Sequence, residues 1–379
     1  MILTADPWFS WSTASILRQD ELPPSRTTMR YSFFWARTAI YHALKILNME
    51  PGSRVLIPSY ICRSAVDPFI AYGAEVDFYS VERDCTANIL DIKKRITRNT
   101  RALLLVHYFG FPQVVRQIRE LCDTHRIALI EDCAHVLSGE IEGQSIGTFG
   151  DVAVFSWRKL LPVFDGGELL INRATQTMAV ALANETPLFT LRVAFNIIDR
   201  TMRHTRRPAL RGAHKGLCVL EGAFHAYAKR FLERSPDSRV EARSTEFDKE
   251  SIYLRMSRIS RWVRRHSNVR RIINERRRNY QILLNELSAS NVTPLHRELP
   301  DSVCPWVFPV FFNDILSAHR RLRAQGIPAS AWDDVRHPDL PFGSFSNADF
   351  LYQNLIFLPI HQCLRDEDMM TIATAVRSL

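Results

Sequence analysis

Between residues 36 and 157 short apolar runs alternate with segments of helical period, and few folds accept that alternation. Ala36 to Leu47 has helical apolar spacing, and Arg54 to Pro58 reads as a strand after the Pro51-Gly52 turn. Further strands are predicted over Glu75 to Val81, Ala102 to Tyr108, Ile127 to Glu131 and Val152 to Trp157, with helices over Ile89 to Ile96 and Gln113 to His125. A strand that alternates with a crossover helix builds a parallel sheet, so the expected class is α/β. The Asp165-Gly166-Gly167 turn then predicts that Leu169 to Ile171 pairs antiparallel with the strand before it. Ser251 to Leu287 reads as one or two long helices. Val307 to Phe312, Ile315 to Gln325 and Leu355 to Leu358 form a small α+β unit. The expected division is an N-terminal arm over 1–28, a large α/β domain over 29–247 and a small domain over 248–379. Within the large domain, 173–247 is an Arg-rich extension without a clear period.

At 379 residues and 46% hydrophobic composition the chain can bury a large core. Its seven cysteines, Cys62, Cys85, Cys122, Cys133, Cys218, Cys304 and Cys363, are scattered without a C-x-x-C pair or zinc spacing, which fits reduced thiols and no metal. Met1 to Arg26 lacks the basic start and apolar run of a signal peptide, and runs such as Ala102 to Val106 fall far short of the roughly 20 residues of a membrane span. The expected location is therefore the cytoplasm. The net charge of +9 comes largely from arginines between Arg200 and Arg278. That stretch lacks an RNA-binding motif and has few aromatic residues, which argues against nucleic acid as partner. Arg200, Arg203, Arg206, Arg207 and Arg211 read either as a solvated helix face or as a contact for an anion, such as a diphosphate or an acidic membrane surface.

Ligands of open α/β sheets bind beyond the carboxyl ends of the strands, so the polar residues that end the strands are the candidates. They are His107, Asp132, and Ser156 with Lys159. Singly each has an ordinary reading: a strand-terminal Asp is usually a turn or cap residue, a lone His is usually structural, and a lysine after a strand is usually solvated. Together they place a carboxylate and an amine at one edge of one sheet, and pyridoxal phosphate chemistry uses both. The amine must be desolvated enough to be nucleophilic, and neighbouring cations such as Arg158 favour that. The carboxylate must hold the pyridine nitrogen protonated. A helix beginning near Arg37-Thr38 offers backbone N–H groups, a hydroxyl and a guanidinium to the phosphate, and Ser156 a second hydroxyl.

Three linked stretches carry a resemblance. They are Ile130-Glu131-Asp132-Cys133-Ala134-His135, then Gly143-Gln144-Ser145-Ile146-Gly147-Thr148-Phe149-Gly150-Asp151, then Phe155-Ser156, Lys159 and Asp165-Gly166-Gly167. In order and spacing they resemble the E-D-x-A-Q, G-x-x-x-G-S-x-G-D and F-S-F...K...G-D-G-G signatures of the DegT/DnrJ/EryC1/StrS aminotransferases. Pro51 to Pro58, Val106 to Gly110, Tyr253 to Ser257 and Leu358 to His361 are similar to further family motifs, so the likeness runs from about Phe33 to Leu379.

The resemblance implies a fold-type-I pyridoxal-phosphate-dependent transferase with a smaller α+β C-terminal domain. It implies that Lys159 holds the cofactor covalently, that Asp132 partners the pyridine nitrogen and that Ser156 binds the phosphate. His135 stands where the family has a glutamine beside the cofactor's 3-hydroxyl, and Arg37 and Thr38 occupy its phosphate-binding turn. Cys62 replaces an aromatic residue that stacks on the ring, which leaves Tyr60 or His107 to stack instead. Tyr253 replaces an asparagine that reaches the partner subunit's phosphate. The Ser156–Lys159 spacing is about two residues shorter than the family's. The implied activity is transfer of an amino group from an amino acid, often glutamate, to a nucleotide-linked keto-sugar for glycan biosynthesis, in a homodimer. The alternatives are a dehydratase of the same fold, whose known branch replaces the lysine with histidine, and a non-enzymatic regulator. Trp332, Asp333 and the 173–247 stretch are expected to set substrate choice.

Overall fold

The computed structural model describes residues 3–15, 29–173, 181–204, 247, 251–332 and 335–379. The strands in chain order are β1 (Met29–Phe33), β2 (Arg54–Pro58), β3 (Glu75–Tyr79), β4 (Thr100–Val106), β5 (Ala128–Cys133), β6 (Glu140–Ile141), β7 (Gln144–Ser145), β8 (Val152–Ser156), β9 (Gly167–Ile171), β10 (Thr293–Pro294), β11 (Val307–Phe311), β12 (Ser330–Ala331) and β13 (Leu355–Pro359). Seven of them form one sheet in the order β1-β9-β8-β5-β4-β2-β3. Neighbours from β3 to β8 run parallel, and β9 lies antiparallel between β8 and β1. The α/β alternation is thus realised, and the antiparallel return of β9 follows from the short connection after β8, which leaves no room for a crossover helix.

The parallel strands inside the sheet are largely buried on both faces, as continuous apolar runs such as Leu103-Leu104-Leu105 require, while the edge strand β3 is exposed at its start. Each such side chain contributes roughly 1.5–3 kcal/mol when fully withdrawn from water. Helices α1 (Ala36–Ile46), α2 (Arg63–Tyr72), α3 (Ile89–Arg95) and α4 (Val115–His125) connect and cover them. Helix α2 tolerates Pro68, whose five-membered ring is packed in the core. A four-stranded antiparallel sheet, β10-β11-β13-β12, gathers the C-terminal strands. The expected long helical stretch divides at His266, Ser267 and Asn268 into Arg258–Arg265 and Val269–Glu286. At that break the side chain of Asn268 caps the second helix by accepting from the N–H of Arg271.

The stretch without a clear period contains helix α5 (Pro187–His204). Its apolar residues divide between faces, with Phe189 and Val193 buried and Leu191 and Ile198 exposed, which blurs the period. Arg200 and Arg203 lie on this helix and pair with Asp6 and Asp199, while Arg206, Arg207 and Arg211 lie outside the described residues. Among the described residues no helix is long and apolar enough to cross a membrane.

One contact fixes how α1 meets the sheet. A Cβ on Gly167 would stand 2.3 Å from the carbonyl carbon of Trp35 and 2.4 Å from the nitrogen of Ala36, both backbone atoms. Gly167 pairs with Ser156 across β8 and β9, so the start of α1 lies directly over that pair. Gly167→Ala is expected to destabilise the protein by about 1–3 kcal/mol through overpacking, read from denaturant midpoints, because backbone cannot rotate away as a side chain can.

Candidate active site

Lys159 sits on the 3-10 turn Trp157–Lys159 that ends β8, and Asp132 is on the neighbouring strand β5. Three ties hold the lysine's turn. The Trp157 indole N–H donates to Glu168 on β9 at 2.7 Å. The Leu160 carbonyl accepts from Gln362 Nε2 at 2.9 Å and from Arg276 Nη2 at 3.2 Å. Arg276 is fully buried, and its other contacts are Gln362 Oε1 at 2.9 Å and the carbonyls of Trp306 at 2.8 Å and Pro305 at 3.4 Å. This guanidinium joins the C-terminal part of the chain to the residue after the lysine.

The Lys159 amine contacts His135 Nε2 at 2.8 Å and lies 4.9 Å from the centroid of the Trp306 ring. Burial lowers its pKa below the usual value, Cys62 and Asp132 oppose that shift, and Arg158 adds to it. The Asp132 carboxyl is raised by burial, against the opposing pull of Lys159, the Ala134 N–H and His107. One of its oxygens accepts from that N–H at 2.9 Å, and the other accepts no hydrogen bond among the described residues. Burial drives the His135 pKa well below its ordinary value, and Lys159 adds to this. The His135 ring stacks on Trp306 at 4.1 Å.

The start of α1 supplies the second half of the site. Thr38 is fully buried, and its hydroxyl has no hydrogen-bond partner. The first turn carries no acidic residue, and the guanidinium groups of Arg37 and Arg158 lie 5.3 Å and 4.9 Å from the Trp35 ring centroid. The positive end of a helix, an unsatisfied hydroxyl and two cations make an anion cradle. Ser156, nearly buried, lies beneath it through the Gly167 contact.

The structure thus brings Lys159, Asp132, His135 and Cys62 together and places Arg37, Thr38 and Ser156 beside them. His107 is held by protein partners. Its Nδ1 accepts from the Gln113 N–H at 3.2 Å and its Nε2 bonds the Glu131 carboxylate at 3.1 Å. Successive strand residues point to opposite faces, so the side chain that holds this ring leaves β5 on the face opposite to that of Asp132. Glu131 itself accepts from the N–H groups of Gly147, Phe149 and Gly150, and Asp151 accepts from the Leu129 N–H and from Arg119. These acidic residues of the quoted motifs tie loops to the sheet.

Tyr60 is fully buried and packs 5.0 Å from Trp332, with Tyr108 and Tyr352 around it, so its ring belongs to an aromatic cluster. Tyr253 is half-exposed and rests against His42 and Lys45 on α1, away from Lys159 in this chain. Asp333 lies outside the described residues. Sequence reasoning missed Trp306, Phe109, Arg276 and Gln362. The tryptophan and the two residues from later helices and loops reach the lysine only through tertiary packing, without a local signal.

Residues 36–185 match the model of the DegT/DnrJ/EryC1/StrS aminotransferase family. A GDP-perosamine synthase of Vibrio cholerae is 31% identical over 137 residues, 35% of this chain and 37% of that protein. A dTDP-4-dehydro-2,3,6-trideoxy-D-glucose 4-aminotransferase of Saccharopolyspora spinosa is 34% identical over 132 residues, 34% of each chain. The aligned stretch therefore spans little more than a third of these relatives' own length. Among solved structures, PseC of Helicobacter pylori, an aminotransferase involved in the biosynthesis of pseudoaminic acid, superposes with a TM-score of 0.65 at 17% identity, covering 92% of this chain and 86% of that one. The aminotransferase TlmJ of Streptoalloteichus hindustanus gives 0.63 at 21% identity, over 92% and 85%. At these identities the likeness is one of fold.

Proposed function

We infer, from the match of residues 36–185 to the model of the DegT/DnrJ/EryC1/StrS aminotransferase family, that the chain is a pyridoxal-phosphate-dependent aminotransferase for a nucleotide-linked keto-sugar. The observation that carries this reading is the partly buried Lys159 amine, its pKa lowered by burial, beside the buried Asp132 carboxylate at one sheet edge. The residues fit the cofactor: the Thr38 hydroxyl lacks a partner, the α1 N-terminus is free of acidic residues, and one oxygen of Asp132 is open.

When bound, the cofactor supplies an aldehyde that condenses with amines and a ring that withdraws electrons. Thr38, Arg37, Ser156 and the first turn of α1 would hold its phosphate. Asp132 would hold a proton at the ring nitrogen. Lys159 Nζ would take the proton from the donor's α-carbon and deliver it to the carbon that carried the cofactor's aldehyde oxygen. The donor is proposed to be glutamate. The relatives' names carry GDP-, UDP- and dTDP-linked sugars, so the shared recognition element is the diphosphate, which suits a basic surface. A homodimer in the cytoplasm, with the exposed Tyr253 reaching towards the second subunit, completes the proposal.

The test is to incubate the purified protein with pyridoxal phosphate, glutamate and a panel of keto-sugar nucleotides. The expected result is cofactor retention with a visible absorbance band and formation of an amino-sugar. Absence of both retention and amino transfer across the panel would refute the reading.

Thr38→Val separates the cradle from the fold. The replacement removes an unsatisfied buried hydroxyl, so the cofactor-free protein is expected to melt no lower than the wild type. Cofactor affinity is expected to fall about tenfold or more, the worth of a hydrogen bond to a charged group. Equal affinities by fluorescence titration would remove Thr38 from the phosphate site.

A further inference from the structure

The contact between Lys159 and His135 has a direction that the neighbouring backbone decides. The Phe109 N–H donates to His135 Nδ1 at 3.2 Å, which uses that nitrogen's lone pair. A neutral imidazole carries one N–H and one lone pair, so Nε2 must then carry the hydrogen. A second proton on the ring is disfavoured, because burial, with Lys159 adding to it, drives the His135 pKa well below its ordinary value. The Nε2–H therefore points at Lys159 Nζ across 2.8 Å. An ammonium has three donors and no lone pair, so it would meet that N–H donor to donor. Only the free amine can accept.

The backbone that supplies the N–H is held in place. Phe109 is a non-glycine residue at φ 57°, in the left-handed region, and its carbonyl accepts from Trp306 N–H at 2.8 Å. Gly110 follows at φ 92°, where a Cβ would stand 2.3 Å from the Cys304 carbonyl oxygen. The ring is fixed on its face by Trp306 and on its edge by Phe109 N–H, and a lone pair at Nε2 would need a hydrogen on Nδ1, which would then meet the Phe109 N–H donor to donor.

We propose that His135 is a positioning residue that presents Lys159 as a free amine, with its tautomer set by the Phe109 N–H. Burial already favours the free amine, and His135 adds a hydrogen bond that only that form can accept. Asp132 on β5, Cys62 at the start of α2 and the face of Trp306 favour the ammonium, and Arg158 on the lysine's own turn disfavours it without accepting or donating at Nζ. The proposal rests on the reading that Lys159 is the reacting amine. It is tested in the cofactor-free protein, so its failure and the failure of that reading can be told apart.

The first measurement is the ¹⁵N spectrum of His135 in the cofactor-free protein near neutral pH. An unprotonated Nδ1 with a protonated Nε2 is expected, and a protonated Nδ1 overturns the proposal. The second is the pH dependence of Lys159 acetylation by acetic anhydride, read at the Lys159 peptide by mass spectrometry. His135→Met removes the donor, so the midpoint is expected to rise by about half to one pH unit. If the lysine were instead an ammonium donating to the ring, the same change would lower the midpoint, so a fall or no shift overturns the proposal. His135→Gln, whose amide can accept from Phe109 and donate to Lys159, is expected to restore the wild-type midpoint. If the Met variant does not fold, the ¹⁵N tautomer and the Gln midpoint still decide.

Discussion

Lys159→Ala is expected to lower the proposed transamination by about 10³-fold or more, the loss that follows when a group that both attacks the cofactor and moves the proton is removed. The truncation is also expected to abolish reductive trapping: borohydride should fix cofactor to the Lys159 peptide in the wild type and to none in the variant. The fold is expected to survive, because the removed amine is one that burial already disfavours in its charged form. The turn that carries it stays tied through Trp157 to Glu168 and through the Leu160 carbonyl to Arg276 and Gln362. A small amine added to the medium is expected to restore part of the proton transfer in the Ala variant. Trapping of cofactor at a different lysine in the wild type would mean that the wrong residue has been placed at the centre of the site.

The part of the fold with a clean apolar signal was legible in the sequence. Arg54 to Pro58 is a strand with the same bounds in both readings, since Pro51-Gly52 marks its start and every later residue is buried. β1 was missed because Met29-Arg30-Tyr31-Ser32-Phe33 mixes polar and apolar residues and is half-buried, with pairing from β9 in place of apolar continuity. Helix α2 was missed because its interior proline reads as a breaker. In the candidate site, Lys159 and Asp132 were singled out from order and spacing along adjacent strands and His135 from the resemblance, and the structure places the three side by side. His107 follows the strand end as expected, but the predicted strand ran on to Tyr108, whereas β4 ends at Val106 and the chain turns into a 3-10 segment with Phe109 left-handed. That turn carries the His107 ring to Glu131 and brings the Phe109 N–H to His135. Trp306 and Arg276 have no counterpart in local pattern, because what positions them is the packing of the C-terminal part of the chain against the lysine's turn.

Asp132→Asn separates the demands of chemistry from those of stability. Once Asn replaces the carboxylate, the ring nitrogen loses the negative charge that keeps it protonated, and transamination is expected to fall roughly 10²- to 10³-fold, as when one preorganised electrostatic partner is deleted. The stability effect has the opposite sign. Burial raises the Asp132 carboxyl above the usual range in the folded state, with Lys159 and the Ala134 N–H only partly offsetting it. A carboxyl raised in this way favours the folded state while protonated, and the folded protein becomes relatively less stable as pH rises from the unfolded pKa to the folded one. Above the usual carboxylate range the charged form carries that penalty, and Asn does not bear it. Denaturant unfolding of the cofactor-free proteins is therefore expected to find the Asn variant at least as stable as the wild type near pH 7, with its advantage shrinking as pH falls from the raised carboxyl value towards the usual carboxylate range and gone below that range. An Asn variant that is both active and less stable at neutral pH would show that Asp132 is a structural carboxylate, held for its bond to Ala134.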